Sequence, residues 1–150
     1  MYNQREEVRV SSRLTPYRLP FTRLLKGQVM AKKTILVVDD TDWNRDLLVQ
    51  LLEEDYTLLQ AVDGADGVRM AEEHKPDLIL MDLGMPIMDG WEATRTIKAN
   101  DALKHIPIIA VTSHAMVGDE IDARKAGCDD YLSKPIDDEA LIQKIKRFIG

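Results

Sequence analysis

Five short apolar runs, each followed by a stretch with helical spacing, leave this chain few architectures to choose from. The runs are "TILVV" (34–38), "YTLLQA" (56–61), "LILM" (78–81), "PIIAV" (107–111) and "YLS" (131–133). The stretches that follow are "WNRDLLVQLLEE" (43–54), "DGADGVRMAEEH" (63–74), "GWEATRTIKAN" (90–100), "GDEIDARKAG" (118–127) and "DDEALIQKIKRFIG" (137–150). Helical spacing puts Trp43, Leu47, Leu48, Leu51 and Leu52 on one face of the first, and Leu141, Ile145 and Phe148 on one stripe of the last. Asp63 is placed to cap the second helix and Gly127 to close the fourth. Strands this apolar are covered on both faces. The pattern therefore predicts an α/β fold with a doubly wound, five-stranded parallel sheet and helices on either side.

In such sheets ligands sit at the carboxyl ends of the strands, near the topological switch point. The first strand runs into Asp39 and Asp40, the third into Asp82, the fourth into Thr112 and Ser113, and the fifth into Lys134. Three carboxylates, a hydroxyl and an ammonium would then ring one crevice. Clustered carboxylates repel one another unless a cation joins them. A hard divalent ion suits them, and Mg²⁺ favours one or two carboxylates together with water and a phosphate. Lys134 adds a mobile positive charge, and Thr112 can donate a hydrogen bond to a phosphoryl oxygen. One carboxylate could act as a nucleophile and become an acyl phosphate. Taken singly, each residue has a plainer role: Asp39 and Asp40 suit a helix cap, Asp82 suits a turn. Their occurrence together at successive strand ends carries the functional reading.

Charge divides the chain. Residues 1–29 hold five Arg, one Lys and two Glu, a net of +4, whereas residues 30–150 hold 14 basic and 24 acidic residues, a net of −10. So acidic a body argues against nucleic-acid binding by the folded part. Residues 1–29 have no sustained period of 2 or 3.6, and Pro16 and Pro20 interrupt them. They read as a basic N-terminal extension that is flexible or arises from a start site assigned upstream of Met30, and they are expected to add little to stability. They are rich in arginine, as transit peptides are, but Glu6 and Glu7 oppose that reading. Residues 30–150 form the expected domain. Cys128 is the sole cysteine, which excludes an intramolecular disulfide and suits a reducing, cytoplasmic setting. No apolar run is long enough to span a membrane.

The segments "VVDD", "LILMDLGMPIMDG", "IPIIAVTSHA" and "GCDDYLSKPI" together resemble the receiver domains of two-component response regulators, from about Lys32 to Ile149. The spacings also match: 30 residues separate Asp82 from Thr112, and 52 separate it from Lys134. The stretch "AMVGDE…AGCDDYLSKPI" is similar to DivK-like single-domain regulators and to the receivers of hybrid histidine kinases. The resemblance implies a flavodoxin-like strand order 2-1-3-4-5. It implies that Asp82 is the phosphoacceptor and that Mg²⁺, with Mn²⁺ as a substitute, is held by Asp39, Asp40, Asp82 and the Gly84 backbone carbonyl. Asp40 would be a direct ligand and Asp39 would act largely through water. Thr112 and Lys134 would contact the phosphoryl oxygens, Thr112 and Tyr131 would form the switch, and Gly84 and His114 would tune the phosphate lifetime. Asp89–Gly90 would form the turn into the third helix, and the Lys134–Pro135 bond would be cis.

The expected partners are a histidine kinase or histidine phosphotransfer protein and a downstream protein target. The expected oligomeric state is a monomer or a weak phosphorylation-linked dimer. With nothing after the fifth helix, output is expected through protein contact, by a stand-alone regulator that catalyses its own phosphorylation and dephosphorylation without conventional turnover. Three other functions are compatible with parts of the pattern. Asp40-x-Asp42 superficially fits a haloacid-dehalogenase-type phosphohydrolase with Asp40 as nucleophile, but Trp43 and Asn44 continue that motif poorly and Asp82 is left unexplained. A pseudo-receiver that only binds would suit an incomplete acidic site. Nucleic-acid binding would rest on the six basic residues of the N-terminal extension alone.

Overall fold

The computed structural model describes residues 24–25, 28–29, 31–85, 89–113 and 117–150; for 24–25, 28–29 and 117–119 this covers the backbone only. The chain divides into units Met1–Lys32 and Lys33–Gly150. In the first unit Leu24–Leu25 pairs antiparallel with Gln28–Val29. The reading of residues 1–29 as an extension otherwise lies outside the described residues.

The second unit alternates strand and helix five times: β1 (Thr34–Val38), α1 (Asp42–Leu52), β2 (Thr57–Ala61), α2 (Gly64–His74), β3 (Leu78–Asp82), α3 (Gly90–Lys98), β4 (Ile108–Thr112), α4 (Val117–Ala126), β5 (Asp130–Ser133) and α5 (Asp138–Ile149). All pairings within the sheet are parallel and the order is β2-β1-β3-β4-β5, as expected. The unbroken apolar character of the strands has a simple cause. Leu36, Val38, Ile79, Met81, Ile108 and Ala110 face a core shared with Ala71 of α2, Ala93 and Ile97 of α3, and Ala123 of α4. Ile35, Val37, Leu78, Leu80 and Ile109 face the opposite core, shared with Leu48 and Leu52 of α1 and Leu141 and Ile145 of α5. In the three central strands both faces exclude water, so neither parity of their interior carries polar side chains, whereas the edge strands β2 and β5 carry Thr57, Gln60, Asp130 and Ser133.

Local signals set the helix ends. Asp63 accepts from the Asp66 N–H at 2.8 Å, capping α2 as predicted. Asp89 caps α3 and Asp137 caps α5 in the same way. Gly127 follows α4 at φ 113°, a left-handed conformation that favours glycine. One expectation fails: Trp43 and Leu47 do not join the core face of α1 but stand 69% and 48% exposed. The buried residues of α1 are Leu48, Leu52 and Arg45. The apolar stripe is wider than the face that the sheet covers, and its leading edge points outward. Among the described residues no helix is long and apolar enough to cross a membrane.

Candidate functional site

Strand register brings the expected residues together. Val38 of β1 lies beside Met81 of β3, so Asp39 and Asp82 follow at adjacent positions on the carboxyl edge. Asp82 pairs with Val111 and Thr112 with Ser133, which carries Thr112 and then Lys134 one step further along the same edge. The Lys134 N–H donates to the Thr112 carbonyl at 2.7 Å. The Lys134–Pro135 bond is cis, as expected. The crevice opens between β1 and β3, where the connections leave in opposite directions along the sheet, the switch point at which ligands bind in open α/β sheets.

Asp39, Asp40 and Asp82 each offer a carboxylate oxygen within 4.8 Å of the others. Lys134 lies in the same place, its Nζ 3.3 Å from Asp39 Oδ2 and 3.7 Å from Asp82 Oδ2. One ammonium cannot balance three carboxylates. Burial pushes the Asp82 pKa above the usual carboxylate range; the Gly84 N–H and Lys134 oppose that rise, and the charges of Asp39 and Asp40 add to it. The residues fit a small hard cation. Oxygen ligands about 2.1 Å from an octahedral Mg²⁺ lie about 3 to 4.2 Å apart, so a 4.8 Å spread needs only side-chain adjustment. The Gly84 carbonyl belongs to the turn after β3, and the Gly84 N–H donates to Asp82 Oδ1 at 3.1 Å.

Asp39 is the most constrained of the three carboxylates. Its Oδ1 accepts from the Thr41 N–H at 2.8 Å and its Oδ2 from Asn44 at 3.4 Å. Its own N–H donates to the Ala61 carbonyl of β2 at 3.1 Å. Asp40 is exposed and opens toward solvent. Thr112 is buried at the end of β4, and Tyr131 is half-buried on β5 against the core on the α2–α4 side. His114, expected to tune phosphate lifetime, lies outside the described residues. Asp42, the acid partner in a hydrolase reading, starts α1 and pairs with Arg45. It does not join the three-carboxylate cluster.

Two contributors go beyond the sequence reading, which placed Gly90 only in the turn into the third helix and gave Arg45 no role. Gly90 starts α3 directly against the backbone of the site: a Cβ there would lie 2.0 Å from the Asp82 carbonyl oxygen and 2.6 Å from the Leu83 Cα. Only a glycine lets the helix seat that closely, and the Gly90 N–H donates to the Leu83 carbonyl at 3.3 Å. The second is Arg45, 8% exposed within an otherwise apolar helix face, whose Nη1 donates to the Asp39 carbonyl at 2.7 Å. An arginine among the leucines of "WNRDLLVQLL" was the available signal.

Known proteins share this sequence pattern and fold. A family model described as the response regulator receiver domain matches residues 35–146. The polar-differentiation response regulator DivK of Brucella anthropi is 42% identical over 119 residues, covering 79% of this chain and 97% of that protein. The receiver domain of the sensor histidine kinase PA1611 from Pseudomonas aeruginosa, with a magnesium ion coordinated in its active-site cleft, is 38% identical with a TM-score of 0.74, covering 80% of this chain and 99% of that one. A complex of the Saccharomyces cerevisiae histidine phosphotransfer protein Ypd1 with the receiver domain of its downstream response regulator Ssk1 matches at 29% identity and a TM-score of 0.73, covering 81% of this chain and 91% of that one.

Proposed function

Because this chain belongs to the response regulator receiver domain family, we propose that it is a phosphorylation switch in which Asp82 accepts the phosphoryl group of a phosphohistidine. The donor is a histidine kinase or a histidine phosphotransfer protein, the partner class of receiver domains. The observation that carries this reading is the surplus of charge at the strand ends: three carboxylates within 4.8 Å and one lysine beside them.

In this reading the Asp82 carboxylate attacks phosphorus in line, an O–P bond forms and the N–P bond to the donor imidazole breaks. Its position at the end of a strand buried on both faces holds the nucleophile still, and Gly84 orients Oδ1 through its N–H. Asp39 and Asp40, with Asp82 and the Gly84 carbonyl, would hold Mg²⁺, which would supply charge neutralisation at the phosphoryl oxygens, and Mn²⁺, another oxygen-loving ion, would substitute for it. Lys134 moves from the carboxylates to a phosphoryl oxygen and Thr112 donates to another. Gly84 and His114 tune the phosphate lifetime.

The signal leaves through packing. As Thr112 turns toward the phosphoryl group, space opens beside β4 and the Tyr131 ring on the neighbouring strand moves in. The face formed by α4, β5 and α5 then changes shape for a protein target, in a cytoplasmic protein that is monomeric or weakly dimeric when phosphorylated, with residues 1–29 as an extension to the domain of residues 30–150. The test is acetyl phosphate with Mg²⁺, borohydride trapping and mass spectrometry. The label is expected on Asp82 and absent from Asp82→Asn. A label on Asp40 would favour the hydrolase instead, and no label with intact Mg²⁺ binding would favour a binding-only receiver.

A further inference from the structure

We infer that Arg45 is a positioning residue for the divalent-cation site: its buried guanidinium ties the turn bearing Asp39 and Asp40 to β2 and to the start of α1. The inference rests on the reading of Asp39, Asp40 and Asp82 as that site. All three ends of the guanidinium are engaged. Nη1 donates to the Asp39 carbonyl at 2.7 Å, Nε to Gln60 Oε1 at 3.1 Å, and Nη2 to the Asp42 carboxylate. Gln60 lies on β2, the strand next to β1. The fork therefore joins the backbone just past β1 to the side chain of Gln60, one residue before the end of β2, and to that of Asp42, the first residue of α1; of the two proposed ligands, Asp39 is the first anchor and Asp40 lies between it and Asp42.

The position is costly unless it serves the loop. A cation buried on a helix face otherwise made of Leu48 and Leu52 loses hydration, and a leucine there would extend the core. A planar five-donor fork suits three acceptors at fixed angles, which a lysine cannot reproduce. The carbonyl it holds belongs to Asp39, whose carboxylate is already held by the Thr41 N–H, Asn44 and Lys134. Arg45 thus fixes the main chain while the others fix the side chain, leaving the exposed Asp40 hinged on a turn that no longer moves.

Two effects of removing Arg45 have opposite signs. Loss of a nearby positive charge deepens the negative potential and tightens cation binding. Loss of an outer partner that orients ligands weakens it, typically by about 10- to 100-fold. Because Asp42 already offsets the Arg45 charge, positioning is expected to win.

The experiment is a Mg²⁺ titration of the full chain in a Trp91→Phe background, read by the emission of Trp43, which lies three residues past Asp40. The Tm without Mg²⁺ is measured alongside. Arg45→Ala is expected to raise the Kd for Mg²⁺ about 10-fold, with Arg45→Lys restoring only part of the loss and Gln60→Leu raising Kd by a smaller factor. If Arg45→Ala does not fold, the Lys and Leu variants carry the same test. Variants that are less stable yet bind Mg²⁺ within twofold of the parent, or more tightly, overturn the inference and leave Arg45 a purely structural residue. A parent chain that binds no Mg²⁺ overturns the cation-site reading itself.

Discussion

Two aspartates in one sheet, the half-buried Asp82 and the buried Asp130, meet opposite surroundings. Asp82, at the carboxyl end of β3, has a side chain 12% exposed; Asp130, at the amino end of β5, has one 6% exposed. Asp82 shares its crevice with two further carboxylates and one lysine. Asp130 meets three cations, Lys144 at 3.1 Å, Arg124 at 3.3 Å and Arg147 at 3.4 Å, and shares Arg124 with Glu120. Burial pushes both pKa values up. For Asp82 the opposing contacts do not suffice, and its pKa stays raised. For Asp130 the Tyr131 N–H, Lys144 and Arg124 overcome burial and hold it below the usual range. One cluster joins α4, β5 and α5 with its charges satisfied; the other keeps a deficit of positive charge that a bound cation can fill. Burial alone therefore does not distinguish a structural carboxylate from a reactive one. The sign of the local charge balance does.

The largest test of this contrast removes the satisfied partner. Asp130→Ala takes the shared carboxylate from Lys144, Arg147 and Arg124, of which Arg124 keeps Glu120 at 3.3 Å, and breaking a buried ion pair costs up to about 3–5 kcal/mol. Because Arg124 and Arg147 can turn to water, about 2–3 kcal/mol is expected here, a fall in Tm of about 8–12 °C. An unchanged Tm in thermal unfolding would show that the three cations add nothing.

Asp82→Asn should act in the other direction. Without Mg²⁺ it removes a charge that burial and its neighbours disfavour, so Tm should rise, by on the order of 1 kcal/mol or about 4 °C. Mg²⁺ at ten times its Kd should stabilise the parent by about 1.4 kcal/mol. The variant should lose most of that gain. Calorimetry with and without Mg²⁺ gives both differences, and a variant less stable than the parent in chelator would contradict the charge-deficit account.

Acidity separates the two sites by sign. The folded pKa of Asp82 is raised, so its contribution to stability is present below the unfolded value of about 3.9 and is lost as pH rises through the folded value. The folded pKa of Asp130 is lowered, so its contribution is present above about 3.9 and is lost as pH falls through the folded value. In chelator, the advantage of Asp82→Asn over the parent should grow as pH rises from about 4, whereas the deficit of Asp130→Asn should shrink as pH falls below it. Melting curves across that range check both slopes. The smallest effect is expected at the rim of the Asp130 cluster. Arg147 has a side chain 65% exposed, and Arg147→Ala should cost no more than about 0.5 kcal/mol, against about 1 kcal/mol for Lys144→Ala, whose side chain is 22% exposed and whose ammonium meets both carboxylate oxygens. Equal losses would show that burial does not set their value.

Much of this molecule is legible in its sequence. Five apolar runs became the five strands, most plainly the three central ones, because two-faced burial removes polar residues from both parities of a strand. Asp63 and Gly127 marked helix ends because caps depend on groups within a turn of the chain. Chemistry-bearing residues at successive strand ends pointed to one crevice, because parallel strands present all their carboxyl ends on one edge. The side of a helix was less legible. Helical spacing grouped Trp43 and Leu47 with Leu48 and Leu52, yet only the latter two reach the sheet, and Arg45 takes a buried place that spacing assigns to no one.

What the sequence determined by itself, then, is what neighbouring residues decide: the element types, their caps and the strand ends at which carboxylates, hydroxyl and ammonium fall. The two aspartates of "GCDDYL" mark where that reach ends. Asp129 pairs with Lys98, 31 residues away, and Asp130 with Arg124, Lys144 and Arg147. Nothing local distinguishes these two adjacent carboxylates. Alternation along the chain end of β5 sends them to different partners, and only the packing of α3, α4 and α5 brings those partners within reach. The same holds for Gly90 under Asp82 and for Arg45 under Asp39. Capping and periodicity act over a few residues, whereas charge balance and close backbone contact depend on atoms that meet only after the sheet has its register.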